Sequence, residues 1–168
     1  MWSAMKRIFN YLANLEWTER VQHACTFCDR SKLTKIVYED DDILAIENRR
    51  LAGESHWLIM PKTHGIRDIE ALNGEHLDTL QAMDRVKNHL IAQHCTDVPS
   101  SAIISGYHRG RRPLLGNIYY PDIISIHHLH LHVIVRPRWI LRVFKYPAWL
   151  PLMWKSDVAV LKEVRRLV

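Results

Sequence analysis

No stretch of this chain approaches the ~20 consecutive apolar residues that a membrane-spanning helix needs. The longest, Ala148–Trp154, is broken by Pro151. Glycine and proline are sparse, six and seven in 168 residues, which excludes a collagen or a low-complexity polymer. With 48% hydrophobic and 24% charged residues, the chain is neither disordered nor a coiled coil. Cysteine is scarce and odd in number, with two of the three standing as Cys25-x-x-Cys28. No secretory pattern of basic start, apolar core and small-residue cleavage site is visible, so the expectation is an intracellular domain, cytoplasmic or nuclear. In that setting the cysteine pair reads as metal-binding or redox-active before it reads as a disulfide.

The length suits one compact domain. The net charge of +5 is uneven: residues 136–168 carry eight Lys/Arg against two Asp/Glu, so the rest of the chain totals −1. A basic tail favours anionic partners, although a solvated helix face is the simpler explanation. More informative are the histidines, eleven in all, five of them within residues 108–132.

Apolar spacing at Ile8, Leu12 and Leu15 predicts a helix over residues 3–22. Short strands follow over Lys35–Tyr38 and Ile43–Ile46, joined by a turn at Glu39–Asp42. A loop spans Asn48–Ser55, and a third strand, His56–Met60, stops at Pro61. Asn73 is a candidate N-cap for the strongest helix, in which Leu77, Leu80, Met83, Val86, Leu90 and Ile91 form one stripe. A strand over Ala102–Tyr107, a loop over residues 109–122, a strand over Ile123–Val135 and a last helix over Asp157–Leu167 complete the pattern. Hairpins, one long helix and more strand predict an α+β domain on an antiparallel sheet of about five strands.

The run His127-His128-Leu129-His130-Leu131-His132-Val133-Ile134-Val135 carries the chemistry. Strand side chains alternate faces, so His128, His130 and His132 share one face while Leu129, Leu131, Val133 and Val135 form the core side. Three imidazoles on one face each need a polar partner, which packing does not explain. A histidine near neutral pH serves as nucleophile, acid, base or metal ligand. Chance enrichment on a solvent-facing strand is the plain alternative, and the strict spacing weighs against it.

His128-Leu-His130-Leu-His132-Val-Ile resembles the signature of the histidine-triad superfamily. The likeness extends through Cys25-x-x-Cys28, Val37-Tyr38-Glu39-Asp40 and His56-Trp-Leu-Ile-Met-Pro-Lys-Thr-His64, over residues 25–136. Gly106-Tyr-His108, Ser125 and the basic aromatic tail are most similar to the third branch of histidine-triad nucleotide-binding proteins, near aprataxin. The resemblance implies a histidine-triad domain over residues 25–136, with an extension at 1–24 and a basic, aromatic extension at 137–168 that packs on it.

It also implies roles. His130 would be the nucleophile that takes up adenylate, and His132 and Ser125 would hold the phosphate. His56 would orient the nucleophile, while Asn48 and His108 would help bind substrate. An imidazole suits this chemistry, because it attacks when neutral and forms a phosphoramidate that water reopens. Asn48 stands where relatives usually carry an aspartate that holds the ribose, and an amide lacks that charge. The loop at 109–122 is about eleven residues longer than in the branch and carries Arg109, Arg111 and Arg112. These suit a polyphosphate or nucleic-acid backbone, but a passive insertion is the favoured reading.

Taken alone, Cys25-x-x-Cys28 offers two corners of a zinc tetrahedron. No thioredoxin-like βαβ pattern supports the redox alternative. The resemblance implies a structural zinc completed by His64 and His128, and no organic cofactor. Cys95 is expected to be a packed thiol.

The implied activity is an adenosine 5′-monophosphoramidase-type hydrolase or transferase, acting on P–N or acyl adenylates through a covalent AMP–histidine. An aprataxin-like DNA 5′-adenylate hydrolase and a non-catalytic nucleotide-sensing scaffold are the alternatives. Expected partners are a small AMP-containing substrate and a second copy of the chain. Nucleic acid is a weaker candidate, and no membrane partner is expected.

Overall fold

In the computed structural model the described residues are 25–168, with 116, 117, 121 and 123 excepted. The helix expected over residues 3–22 lies outside them. β1 (Ile36–Glu39), β2 (Ile43–Glu47), β3 (Ser55–Pro61), β4 (Ile103–His108), β7 (Leu131–Val135) and β8 (Trp154–Ser156) form one antiparallel sheet, in the order β1-β2-β3-β7-β4-β8. A separate two-stranded hairpin pairs β5 (Pro113–Leu115) with β6 (Ile118–Tyr119).

Alternation along each strand divides the sheet into two faces. Ile43 and Ala45, Trp57 and Ile59, Leu131, Val133 and Val135, and Tyr107 meet one side of the core. That side is covered by α1 (Leu77–His94), whose Leu80, Met83, Val86 and Leu90 are buried at helical spacing. Asn73 does act as a cap, but for the 3-10 turn Gly74–His76 that leads into α1. Its side chain accepts from the Glu75 N–H at 3.0 Å, and its own N–H donates to His76 Nδ1 at 3.0 Å. The opposite face of the sheet holds Leu44, Ile46, Leu58 and Met60 with Phe27. Farther along it, Ile134 packs with Ala52, Tyr146 and Trp154.

Three expectations need correction. The strand drawn over Ile123–Val135 is regular only from Leu131, so His128 and His130 lie in the segment leading into β7. The 109–122 loop carries the β5–β6 hairpin. The tail contributes a sixth strand, β8, and a short helix, α2 (Trp139–Phe144), before α3 (Asp157–Val164). β8 fills the outer edge of β4, where Gly106 permits the approach. A Cβ there would lie 2.4 Å from the Lys155 carbonyl and 2.7 Å from the Trp154 ring.

α3 is fastened by a buried charge cluster. Lys87 of α1 donates to Asp84 and Asp157, each at 2.6 Å. Both Lys87 and Asp157 are buried, so removing one partner strands the other's charge. Lys87→Ala is therefore expected to destabilise the fold by about 3 kcal/mol in urea denaturation. Lys87→Met combined with Asp157→Leu should recover most of that loss, because the one carboxylate left without its lysine, Asp84, is half-buried and reaches solvent.

Candidate active site

Sheet register assembles the polar cluster. His132 on β7 stands opposite Leu58 of β3 and Gly106 of β4. His56 and His108 therefore flank it diagonally, and their ring centroids lie 5.3 Å and 4.9 Å from that of His132. His130 adjoins at 4.8 Å. These four imidazoles meet at the end of a cavity of about 390 Å³, which is lined by His108, His130 and His132 but not by fully buried His56. Ser125, Lys145 and Tyr146 line the cavity as well. Phe27, Leu33, Ile46, Leu58 and Ile126 contribute apolar walls, with Lys32, Arg49 and Arg50 adding cations. An apolar slot, a histidine cluster and several cations suit a nucleotide, whose flat base and charged phosphate demand opposite surroundings.

Hydrogen bonds fix the tautomers. His130 Nδ1 lies 2.6 Å from the His128 carbonyl oxygen, which can only accept. Nδ1 thus carries the proton, and Nε2 keeps its lone pair. Burial pushes the His130 imidazole down to about 4, so it is neutral at physiological pH. His56 Nδ1 donates to the Arg50 carbonyl at 3.3 Å, leaving His56 Nε2 to accept from His132 Nδ1 at 3.0 Å. His132 Nε2 is then bare, buried and without a hydrogen-bond partner, as is His108 Nδ1. Orphaned buried nitrogens of this kind point to a ligand that satisfies them.

The hydrogen-bond partner of His56 is therefore His132, the neighbour of the nucleophile candidate. Asn48 lines the cavity, but its amide is engaged. Its oxygen accepts from the Arg50 N–H at 3.1 Å, and its nitrogen donates toward His56 Nε2 at 3.3 Å. Lys145 and Tyr146 were not legible as site residues, since no pattern separates them from the rest of the basic tail. Tyr146 is buried against His56, His108 and His132, with centroids at 5.3, 5.2 and 5.4 Å.

None of the described residues of the arginine loop lines the cavity. Arg109 grips Glu70 through two bonds of 2.7 and 3.0 Å. Arg112 donates to the Leu152 carbonyl at 2.9 Å and stacks over Tyr120, while Arg111 lies over Tyr119. These contacts fasten the hairpin to its own surroundings.

Cys25, Cys28, His64 and His128 converge, with ligand atoms all within 4.8 Å of one another. Cys25 Sγ lies 3.5 Å from His128 Nδ1, and Cys28 Sγ lies 3.3 Å from His64 Nδ1 and 3.7 Å from His128 Nδ1. Tetrahedral zinc, with bonds of about 2.3 Å to sulfur and 2.0–2.1 Å to nitrogen, gives S···N edges of roughly 3.6 Å. His128 Nε2–H donates to the Pro61 carbonyl at 2.7 Å, so its Nδ1 lone pair is turned toward the group. The donor set fits such an ion. Cys95, in contrast, is a buried thiol at the end of α1.

Neutral burial of histidines has a cost in acid. Burial lowers His56 to about 4 and His108 to about 3, and holds His132 well below its ordinary value. Below pH 6.5 the unfolded chain takes up protons at these positions while the native state does not, so stability falls as pH falls. The urea midpoint is expected to be flat above pH 7 and to drop between pH 6.5 and about 4. Each such histidine contributes up to ~1.4 kcal/mol per pH unit. His108→Phe should make the fall shallower.

A family profile described as "Scavenger mRNA decapping enzyme C-term binding" (DcpS_C) matches residues 22–139. Aprataxin of Danio rerio is 33% identical over 98 residues, 58% of this chain and 26% of that protein, so the match spans about a quarter of that relative. Adenosine 5′-monophosphoramidase HINT3 of Xenopus tropicalis is 28% identical over 127 residues, covering 73% and 74% of the two chains. Among solved structures, a histidine triad protein from Clostridium difficile superposes with a TM-score of 0.53 at 20% identity. That alignment covers 68% of this chain and 91% of the other.

Proposed function

The chain belongs to the DcpS_C family of the histidine-triad superfamily, and from that premise we propose that it hydrolyses adenosine 5′-monophosphoramidate-type substrates through an adenylylated His130. The observation that carries this reading is the His130 tautomer. Its Nδ1–H is tied to the His128 carbonyl, and a neutral ring lines the cavity with its Nε2 lone pair uncommitted.

In the first step His130 Nε2 attacks the α-phosphorus, and the bond from phosphorus to the leaving nitrogen breaks. Phosphate oxygens enter beside His132 Nε2. Their negative charge offsets the desolvation that otherwise keeps His132 neutral, so the ring takes a second proton from solvent and holds it in a hydrogen bond to an oxygen until the leaving group takes it. His56 accepts from the other side of that ring and holds it in place. Ser125, on the cavity wall, receives the leaving group, which departs with the proton from His132. In the second step water attacks phosphorus, the P–N bond to His130 breaks, and the water's proton returns to His132. Zinc at Cys25, Cys28, His64 and His128 would be structural, tying the N-terminal turn to the segment that carries the triad.

The small substrate is favoured over adenylated DNA because Arg109 and Arg112 are already engaged by Glu70 and by backbone carbonyls. A turnover comparison of adenosine phosphoramidate, lysyl adenylate and 5′-adenylated DNA tests the assignment. The phosphoramidate and the acyl adenylate are expected to be turned over, and neutralising Arg109, Arg111 and Arg112 together should leave their rates within about twofold. Faster turnover of adenylated DNA, lost in that triple variant, would replace this reading with the aprataxin-like one.

A further inference from the structure

Away from the cavity, α2 turns its apolar side outward. Trp139, Ile140 and Phe144 are 70%, 52% and 72% exposed, whereas Leu141 packs on the cluster of Ile134, Tyr146 and Trp154. At 100° per residue, positions 139, 140, 143 and 144 fall within an arc about 140° wide. Trp149 extends the patch. It is 66% exposed and is fixed there by an Nε1–H donated to the Val143 carbonyl at 3.2 Å. Soluble helices normally bury such an arc, and a contiguous apolar face left in water marks an interaction site.

The charges that this segment itself carries have one sign. Residues 136–152 contain Arg136, Arg138, Arg142 and Lys145 and no Asp or Glu. Arg136 is paired with Glu54, while Arg138 and Arg142 are exposed beside the aromatic residues.

We infer that this face docks on an anionic lipid surface. Trp and Phe settle at the headgroup–acyl boundary, and the arginines reach the lipid phosphates from the same depth. Two other occupants fit less well. A nucleic acid would stack on the aromatics but has no use for Ile140, or for Leu152, which is 47% exposed beyond them. A second copy, paired through the same face, would bring two sets of arginines into one interface, with no Asp or Glu among residues 136–152 to offset them. The sequence expectation of no membrane partner rested on the missing apolar run. No helix among the described residues is long and apolar enough to cross a membrane, but an interfacial contact needs no such helix. α2 runs directly into Lys145 and Tyr146, which line the cavity, so docking would hold that wall of the cavity close to the lipid surface.

The test is sedimentation of the full chain with vesicles of phosphatidylcholine, with and without roughly one third phosphatidylserine. Anionic vesicles are expected to bind at least tenfold more tightly, with affinity falling as salt rises. Each cation at the surface adds about fivefold. Arg138→Glu with Arg142→Glu should therefore weaken binding at least tenfold, as should Trp139→Ala with Phe144→Ala. Both pairs replace exposed side chains, so the melting temperature should not move. Equal affinity for neutral and anionic vesicles would overturn the inference, as would no binding to either. It would also be overturned if the same residues instead governed binding of single-stranded DNA, or a concentration-dependent dimer. None of these readouts depends on turnover, so the hydrolase assignment stands or falls separately.

Discussion

His130→Ala is expected to lower turnover of adenosine phosphoramidate by about 10³-fold or more, while AMP binding stays within about tenfold of the parent protein. The asymmetry follows from the site. The proposed nucleophile is one ring in a cavity whose apolar slot, Ser125 and His132 remain in place. Rapid acid-free quenching of the parent protein with labelled substrate should trap one adenylate per active chain, stable in alkali and released in acid, as a phosphoramidate is. His132→Ala should also be slow, but for a different reason, because the nucleophile is intact while both labelling of His130 and hydrolysis of the adenylate lag without the proton donor. A His130→Ala protein retaining more than a few per cent of activity would end the covalent mechanism. Direct attack by water would then be the remaining route.

Chelation, or Cys25→Ser with Cys28→Ser, should produce the other large effect. Elemental analysis is expected to find about one zinc per chain in the parent protein and none in the double variant. The ion would link the Cys25–Cys28 turn to His64, after β3, and to His128, just before β7. Structural zinc sites contribute directly to folding free energy. For a domain of this size, a loss of several kcal/mol corresponds to a fall in melting temperature of roughly 10 °C or more. Activity should drop as well, because Phe27, inside the cysteine turn, packs edge-on against His130 with ring centroids 5.2 Å apart. Metal-free protein that melts normally would remove the four residues from the metal assignment.

Much of this architecture was legible from local pattern. Period-two alternation separated Leu131, Val133 and Val135 from His132, and those three residues do lie in the core on the opposite face. The α1 stripe was equally plain, since its burial repeats every three or four residues. The cysteine pair could be read as half of a metal site, and the triad motif identified the superfamily. Such features belong to contiguous segments, in which backbone geometry alone dictates which side chains share a face.

What the tertiary structure decided depends on contacts between residues far apart in the chain. His56 meets His132 across 76 positions because β3 and β7 pair in one particular register. That register, and not the sequence around His56, makes it a partner of His132 instead of His130. Lys145 and Tyr146 reach the cavity only because β8 closes the tail back onto β4 across Gly106. Arg109 and Arg112 look free in the sequence, but Glu70 and the Leu152 carbonyl occupy them. The outward apolar side of α2 had no local signature, since its residues would suit a buried helix as well. Which face of a short helix is covered depends on where its neighbours fall. Burial and tautomer are in this sense properties of the assembled sheet, and here they determine which nitrogen can attack and which can donate.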